Sequence, residues 1–315
     1  MDDERKEYTH TANSEFDWNR AHGTEGFASG RILGRVSVLD ETLRDGLQSP
    51  SVTEPRVESK LKLLVAMSEL GIDIATIGIP SVSPRAFEDC LLLCKEVART
   101  KVNIRLACAG RTLVGDITPI LELSQRAGLP VEVYAFIGSS PIRQYVEGWD
   151  VPLIARQSAE AIDVAVKAGL DVTYVTEDTT RSHPHALTTL FRTAIDHGAR
   201  RLCLADTVGH ATAGGVRGLL RFTKDVLARF GATHIGIDWH GHNDRGLALA
   251  NALWALECGA DRVHATALGI GERVGNVPME SLLKNMRLLG LHDRDLAPLS
   301  RYTELCSQVL AWPQS

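Results

Sequence analysis

Four times along this chain an amphipathic stretch stops on a glycine and turns, within a few residues, into an apolar run. The junctions are Leu70-Gly71-Ile72-Asp73, Ala168-Gly169-Leu170-Asp171, His197-Gly198-Ala199-Arg200 and Cys258-Gly259-Ala260-Asp261. Glycine ends a helix well because it takes the left-handed backbone conformation without a steric cost. The repeated junction therefore reads as a helix stop leading into a strand, again and again. Short apolar, β-branched runs at residues 36–39, 72–79, 103–108, 131–137, 172–176, 201–205, 234–239 and 262–267 predict strands. Helices are expected between them, at 56–70, 84–99, 152–168, 184–197, 213–230, 247–258 and 278–289. Pro84, Pro152 and Pro184 fall near three of the starts. Strands alternating with helices imply a parallel sheet with right-handed crossovers. Roughly eight such units in about 250 residues fit a closed (β/α)8 TIM barrel in the α/β class. An open doubly wound sheet ranks second, because no G-x-G-x-x-G follows the first strand.

The rest of the chain divides around that barrel. Residues 1–34 are a polar N-terminal extension, expected to be disordered or to form a dimer arm, and 35–290 form the catalytic barrel. Residues 291–315 make a short helical tail, with a helix at 295–310 whose apolar face suits a homodimer contact. The 315 residues are 44% hydrophobic, enough for a large core, and 23% charged. A formal net charge of -5 gives no reason to expect nucleic acid or an anionic membrane as partner. The N-terminus lacks the apolar core of a signal peptide and no run is long enough to span a bilayer, so a cytoplasmic location is expected. The six cysteines, Cys90, Cys94, Cys108, Cys203, Cys258 and Cys306, contain no C-x-x-C pair. They read as free thiols in a reducing compartment.

Three polar clusters close apolar runs: Asp40-Glu41-Thr42-Leu43-Arg44-Asp45-Gly46, His240-Gly241-His242-Asn243-Asp244 and Gly269 to Asn276. Side chains alternate along a strand, so His240 and His242 project to the same side. With an acidic residue from elsewhere they make half of a divalent metal site. Glu177-Asp178 and Asp206-Thr207 end two further strands. In a (β/α)8 barrel all these ends meet at one mouth, where active sites gather.

Four segments in this order resemble the isopropylmalate synthase, homocitrate synthase and 3-hydroxy-3-methylglutaryl-CoA lyase superfamily, the DRE-TIM metallolyases. They are Asp40-x-Thr42-Leu43-Arg44-Asp45-Gly46-x-Gln48, Ala205-Asp206-Thr207-Val208-Gly209, His240-x-His242-Asn243-Asp244-x-Gly246-x-Ala248-x-Ala250-Asn251, and Gly269-Ile270-Gly271-Glu272-Arg273-x-Gly275-Asn276. The resemblance covers residues 36 to 290. It implies metal ligands at Asp45, His240, His242 and Asn276, a set that suits Mg²⁺, Mn²⁺ or Zn²⁺. It implies a catalytic arginine at Arg44, whose planar donors suit a developing enolate or carboxylate oxygen. Glu177, in an E-D-x-x-R match ending at Arg181, is the expected general base, with His210 as reserve acid/base. Gln48, Arg143 and Thr207 are the expected substrate contacts. His183, His185 and His264 lie in plausible positions and receive no role.

The implied activity is a Claisen-type condensation of acetyl-CoA with a 2-oxo acid, an acyltransferase reaction that releases CoA. The loop Gly269 to Asn276 has the form typical of condensing enzymes and lacks the cysteine that the CoA lyase usually carries there. Leu47 leans toward the alternative, a lyase or aldolase cleaving a hydroxy-acyl-CoA or hydroxy-oxo acid, because synthases usually have Glu at that place. A third reading is a non-catalytic paralogue that keeps the metal site. Two departures from the pattern bear on the chemistry. Thr76 stands where the family has a glutamate steering the arginine, so another group, with Glu41 as candidate, has to orient Arg44. Arg143 falls in a stretch that often carries His, and suits a further anionic group on the substrate. As the sequence stands, no leucine-type feedback domain follows the barrel, so the base is expected within the barrel or from a partner chain.

Overall fold

The computed structural model describes residues 36–311; the expected N-terminal extension falls outside them. Eight parallel strands close into a barrel in chain order: β1 (Ser37–Asp40), β2 (Ile74–Thr76), β3 (Arg105–Arg111), β4 (Val131–Gly138), β5 (Val172–Glu177), β6 (Arg201–Asp206), β7 (Gly236–Gly241) and β8 (Arg262–Ala265). Closure sets Leu39 of β1 opposite both Ile74 of β2 and His264 of β8. The surrounding helices are α1 (Val57–Glu69), α2 (Pro84–Thr100), α3 (Val114–Ala127), α4 (Pro141–Glu147), α5 (Val151–Lys167), α6 (Pro184–Asp196), α7 (Ala213–Arg229), α8 (Ala248–Glu257) and α9 (Met279–Leu288). A last helix, α10 (Leu299–Leu310), follows the barrel and packs beside α1. The barrel fold and its alternation of strands and helices agree with the sequence reading. Among the described residues no helix is long and apolar enough to cross a membrane.

Three elements differ from expectation. The second strand is three residues long rather than eight; Ile77 N and Gly78 O still bond to β3 beyond it, and Gly78 then takes φ +146°. A Cβ on Gly78 would stand 3.1 Å from Cys90 Sγ of α2, so the glycine also permits close packing of that helix. Helix α3 was expected only through its stop, Gly128, and was given no bounds; Gly115 and Pro119 both disfavour a helix interior. It forms because Ile117, Ile120 and Leu123 recur on one face and are fully buried; packing overrides propensity. Short α4, capped by the Ser140 hydroxyl, was missed.

Alternation divides each strand between two environments. Outward residues such as Val38, Val133, Tyr174, Leu204 and Trp239 join the main core against the helices. Inward residues differ around the ring. From β1 to β4 Leu39, Ile74, Ala107, Ala109 and Tyr134 form a cluster of their own, beside the polar Thr76 and Glu132. From β6 to β8 the interior is charged. Asp238 accepts from Arg201 Nε (2.5 Å), Tyr134 OH (2.9 Å) and Arg262 Nη1 (3.4 Å), while Arg262 Nη1 also donates to Glu132 (2.6 Å). Gly236 makes room for this, since a Cβ there would lie 2.2 Å from Arg201 Nη1. The charges compensate one another, as buried ions must.

Candidate active site

The strand ends on the C-terminal side surround a cavity of about 220 Å³. Asp45 is carried there by the turn after β1, which starts as the Asp40 carboxylate accepts from Thr42 N at 2.8 Å. Asp40 faces outward and also accepts from Tyr302 OH of α10, so the last helix pins this turn from behind. Burial raises the Asp40 carboxyl to about 6, and the bonds from Thr42 and Tyr302 hold it from going further.

His240 and His242 reach the same cavity from β7. Their Nε2 atoms lie 3.5 and 3.3 Å from Asp45 Oδ2, and the two rings meet edge to face with centroids 5.1 Å apart. All three side chains are buried, and one ligand atom from each falls within 4.8 Å of the others. Burial, then the charge of His242, lowers His240 to about 3, which leaves the ring neutral, as a metal ligand must be. Burial pushes the Asp45 carboxyl up, but Arg44 beside it, with His242 and His240, holds it well below the usual range. Both ring nitrogens of His242 are buried without a hydrogen-bond partner. An orphaned imidazole facing a carboxylate and a second imidazole fits a divalent cation, which would take up the free lone pair. Asn276 also arrives here, but through its amide nitrogen, which donates to Asp45 Oδ1 at 2.7 Å. It therefore orients Asp45 in this arrangement. The loop after β8 leaves no spare room: a Cβ on Gly271 would stand 2.0 Å from Asn276 Nδ2 and 2.8 Å from Asp45 Oδ1.

Arg44 lies against this cluster. Its Nε donates to Glu41 Oε2 (2.5 Å), Nη1 to Gln48 Oε1 (3.0 Å) and Nη2 to Asp45 Oδ2 (3.1 Å). Three of the five guanidinium N–H groups are thus engaged and two remain for a ligand. Glu41 supplies the carboxylate that Thr76 lacks; Thr76 is buried on β2 with an unpartnered hydroxyl. Although burial opposes it, Arg44 and then His264 lower the Glu41 carboxyl to about 2.

The opposite side of the mouth is more open. Glu177 ends β5 and lines the cavity, and burial raises its carboxyl despite Arg143 Nε at 3.2 Å. Arg143, on α4, also meets Glu147 (3.2 Å) and lines a neighbouring cavity that shares Phe136 and Glu177 with the first. Thr207 lines the main cavity. Its Oγ1 accepts from Asp178 N at 2.8 Å, which leaves the hydroxyl proton free to donate. His210 is not among the lining residues. It is half exposed, with Nδ1 3.3 Å from Thr180 Oγ1 and 3.5 Å from Asp206 Oδ1. The structure therefore unites Arg44, Asp45, Gln48, Glu177, Thr207, His240 and His242 around one cavity, sets Asn276 behind Asp45, and leaves His210 outside.

Several participants were missed in sequence. Glu272 lines the cavity as a second carboxylate beside Glu177. Arg273, at φ 54°, donates to Asp244 (2.8 Å) and to the Thr207 carbonyl (2.6 Å), tying together the loops after β6, β7 and β8. Both stand inside the recognised loop motif, which was the available signal. His264 was noted at a plausible position without a role, and Tyr134 and Asp238 carried no signal, because the three meet only when the barrel closes.

A family model described as HMGL-like matches residues 35–306. This chain belongs to that family. The DRE-TIM motifs quoted above are thus carried by an HMGL-like barrel. The 2-isopropylmalate synthase of Sediminispirochaeta smaragdinae is 32% identical over 285 residues, spanning 88% of this chain and 55% of its own. That of Pyrococcus furiosus is 33% identical over 250 residues, spanning 79% and 48%. The chain spans about half the length of the curated relatives it matches. Among solved structures, the HMG-CoA lyase of Bacillus subtilis superposes with a TM-score of 0.73 at 22% identity, over 89% of this chain and 95% of that one. This last likeness concerns the fold.

Proposed function

We propose that this HMGL-like barrel is a divalent-metal-dependent acyltransferase that condenses acetyl-CoA with a 2-oxo acid, releasing CoA and a 2-alkylmalate-type product. The observation that carries this reading is the placement of a guanidinium with two free donors beside an Asp–His–His cluster, on the wall of one cavity. Asp45, His240 and His242 would hold the ion. When bound, a divalent ion supplies Lewis acidity to the oxygens of a 2-oxo acid.

The remaining work falls to the chain's own side chains. Thr207 has a hydroxyl proton directed to no other acceptor and donates it to the substrate carboxylate. Glu177, whose basicity is raised by burial, removes a methyl proton from the acetyl thioester. The two open N–H groups of Arg44 stabilise the oxygen on which the resulting negative charge collects. Attack of that carbon on the keto carbon forms the new C–C bond, and hydrolysis of the thioester frees CoA. Ile79, Ala109, Phe136 and Val175 give the cavity an apolar wall for the non-reacting part of the 2-oxo acid. A cytoplasmic homodimer is part of the same proposal.

The second reading is a lyase or aldolase, for which Leu47 speaks, and it uses the same residues in the cleavage direction. Incubating the protein with Mg²⁺ or Mn²⁺, acetyl-CoA and a panel of 2-oxo acids, while following free thiol, separates them. Thiol release that depends on one 2-oxo acid is the expected result. Silence there, with cleavage of a hydroxy-acyl-CoA or hydroxy-oxo acid, overturns condensation in favour of the lyase.

A further inference from the structure

Arg44 sits on a turn, yet a line of contacts ties it to the interior of the barrel. Glu41 turns its two oxygens to two groups. Oε2 accepts from Arg44 Nε at 2.5 Å. Oε1 lies at ion-pair distance, 3.5 Å, from His264 Nδ1, a buried nitrogen with no hydrogen-bond partner that attracts the carboxylate when the ring is protonated. On the other side of the His264 ring, Nε2 lies 3.1 Å from Asp238 Oδ2. An ionised carboxylate only accepts, so Nε2 carries a proton and donates it. Asp238 is immobilised in turn by Arg201 from β6, Tyr134 from β4 and Arg262 from β8. Glu41, His264 and Asp238 are all at most 3% exposed, so the column is buried along its length. Meanwhile Thr76, the inward residue of β2, has no polar partner and contributes nothing to the arginine.

We propose that His264 is a positioning residue: wedged between Asp238 and Glu41, it fixes the Glu41 carboxylate and through it the plane of the Arg44 guanidinium. The carboxylate–imidazole–carboxylate column thus does in this chain what Thr76 on β2 cannot, and it registers a loop arginine against three strands of the barrel wall. Its consequence for turnover rests on the reading of Arg44 as the group that stabilises negative charge. Its consequence for geometry does not.

Two measurements on the full chain test it. The first needs no substrate: solvent exchange of the Arg44 Nε–H, followed by NMR on arginine-labelled protein. His264→Leu fills the space but has no donor, and exchange should quicken by about tenfold or more; His264→Gln, with one amide donor, should lie between it and the unsubstituted protein. Exchange unchanged in the folded variant overturns the proposal, and His264→Gln carries the same criterion if the leucine variant does not fold. The second is a double-mutant cycle on the condensation. His264→Leu should lower kcat by about 10–100-fold with little change in KM, and Arg44→Ala with His264→Leu should lose no more than Arg44→Ala alone. Multiplying losses would show that His264 acts elsewhere and would also overturn it. A chain inactive toward every 2-oxo acid defeats the functional reading, while the exchange measurement still decides the column.

Discussion

The two sides of the barrel mouth are built differently. On the side of β7, β8 and β1, Asp45, His240, His242 and Glu41 are buried and aim at one another across 3.5 Å or less, or at Arg44. On the side of β4 to β6, Glu177, Arg143 and His210 are 28%, 37% and 46% exposed, and their partners are on neighbouring loops and a short helix. Removing one member of a buried charge cluster typically costs about 3–5 kcal/mol, because its partner is left uncompensated. An exposed pair is worth about 0.2–1 kcal/mol. One side is therefore held by buried groups that compensate one another, and the other by exposed pairs of small individual worth. Chemistry shared by condensation and cleavage fits the first; choice of substrate fits the second.

Substitutions can break or sharpen this contrast. The largest effect is expected from His242→Ala, which should abolish metal binding and activity together, measured by metal content after gel filtration and by thiol release. Metal retained at full stoichiometry would dissolve the cluster as described. Arg44→Ala comes next: metal content should persist while kcat falls by about 10²–10³. If its rate survives, the guanidinium has no part in stabilising charge.

Across the mouth, Glu177→Gln keeps the shape but removes the base, so kcat should fall by about 10²-fold with metal affinity unchanged. A rise in KM alone, with kcat unchanged, would make Glu177 a binding group instead. The smallest effect is the most diagnostic of coupling within the open side. Burial raises the Glu177 carboxyl and Arg143 works against that, so Arg143→Ala should raise it further. A base acts only when ionised, and activity is lost as pH falls through its pKa. The acidic limb of the kcat profile should therefore move to higher pH. A limb that stays in place separates Arg143 from Glu177.

Much of this molecule could be read before its structure. The eight strands announce themselves through β-branched runs between glycine-stopped helices, and His240 and His242 share a face by the period of a strand alone. Helix α3 was legible only at its stop, Gly128; its extent was not, because Gly115 and Pro119 argue locally against a helix that burial of Ile117, Ile120 and Leu123 supports. The column through His264 was equally hidden. Glu41, Asp238 and His264 are unrelated in spacing, and become neighbours because closure pairs β1 with β8 and sets the inward faces of β7 and β8 side by side. Local chemistry is legible from residue order; contacts made by ring closure are not. His210 shows the converse, a suggestive residue at a strand end whose ring meets Thr180 and Asp206 and does not line the cavity.

The central claim is that Asp45, His240 and His242 grip a single cation beside the Arg44 guanidinium. Crystals grown with Mn²⁺ and measured at its absorption edge test it most directly. The account predicts one strong anomalous peak within coordination distance of both imidazole Nε2 atoms and the Asp45 carboxylate, with Arg44 adjacent. A map with no peak among those three side chains, or with the imidazoles turned away from Asp45, would contradict it.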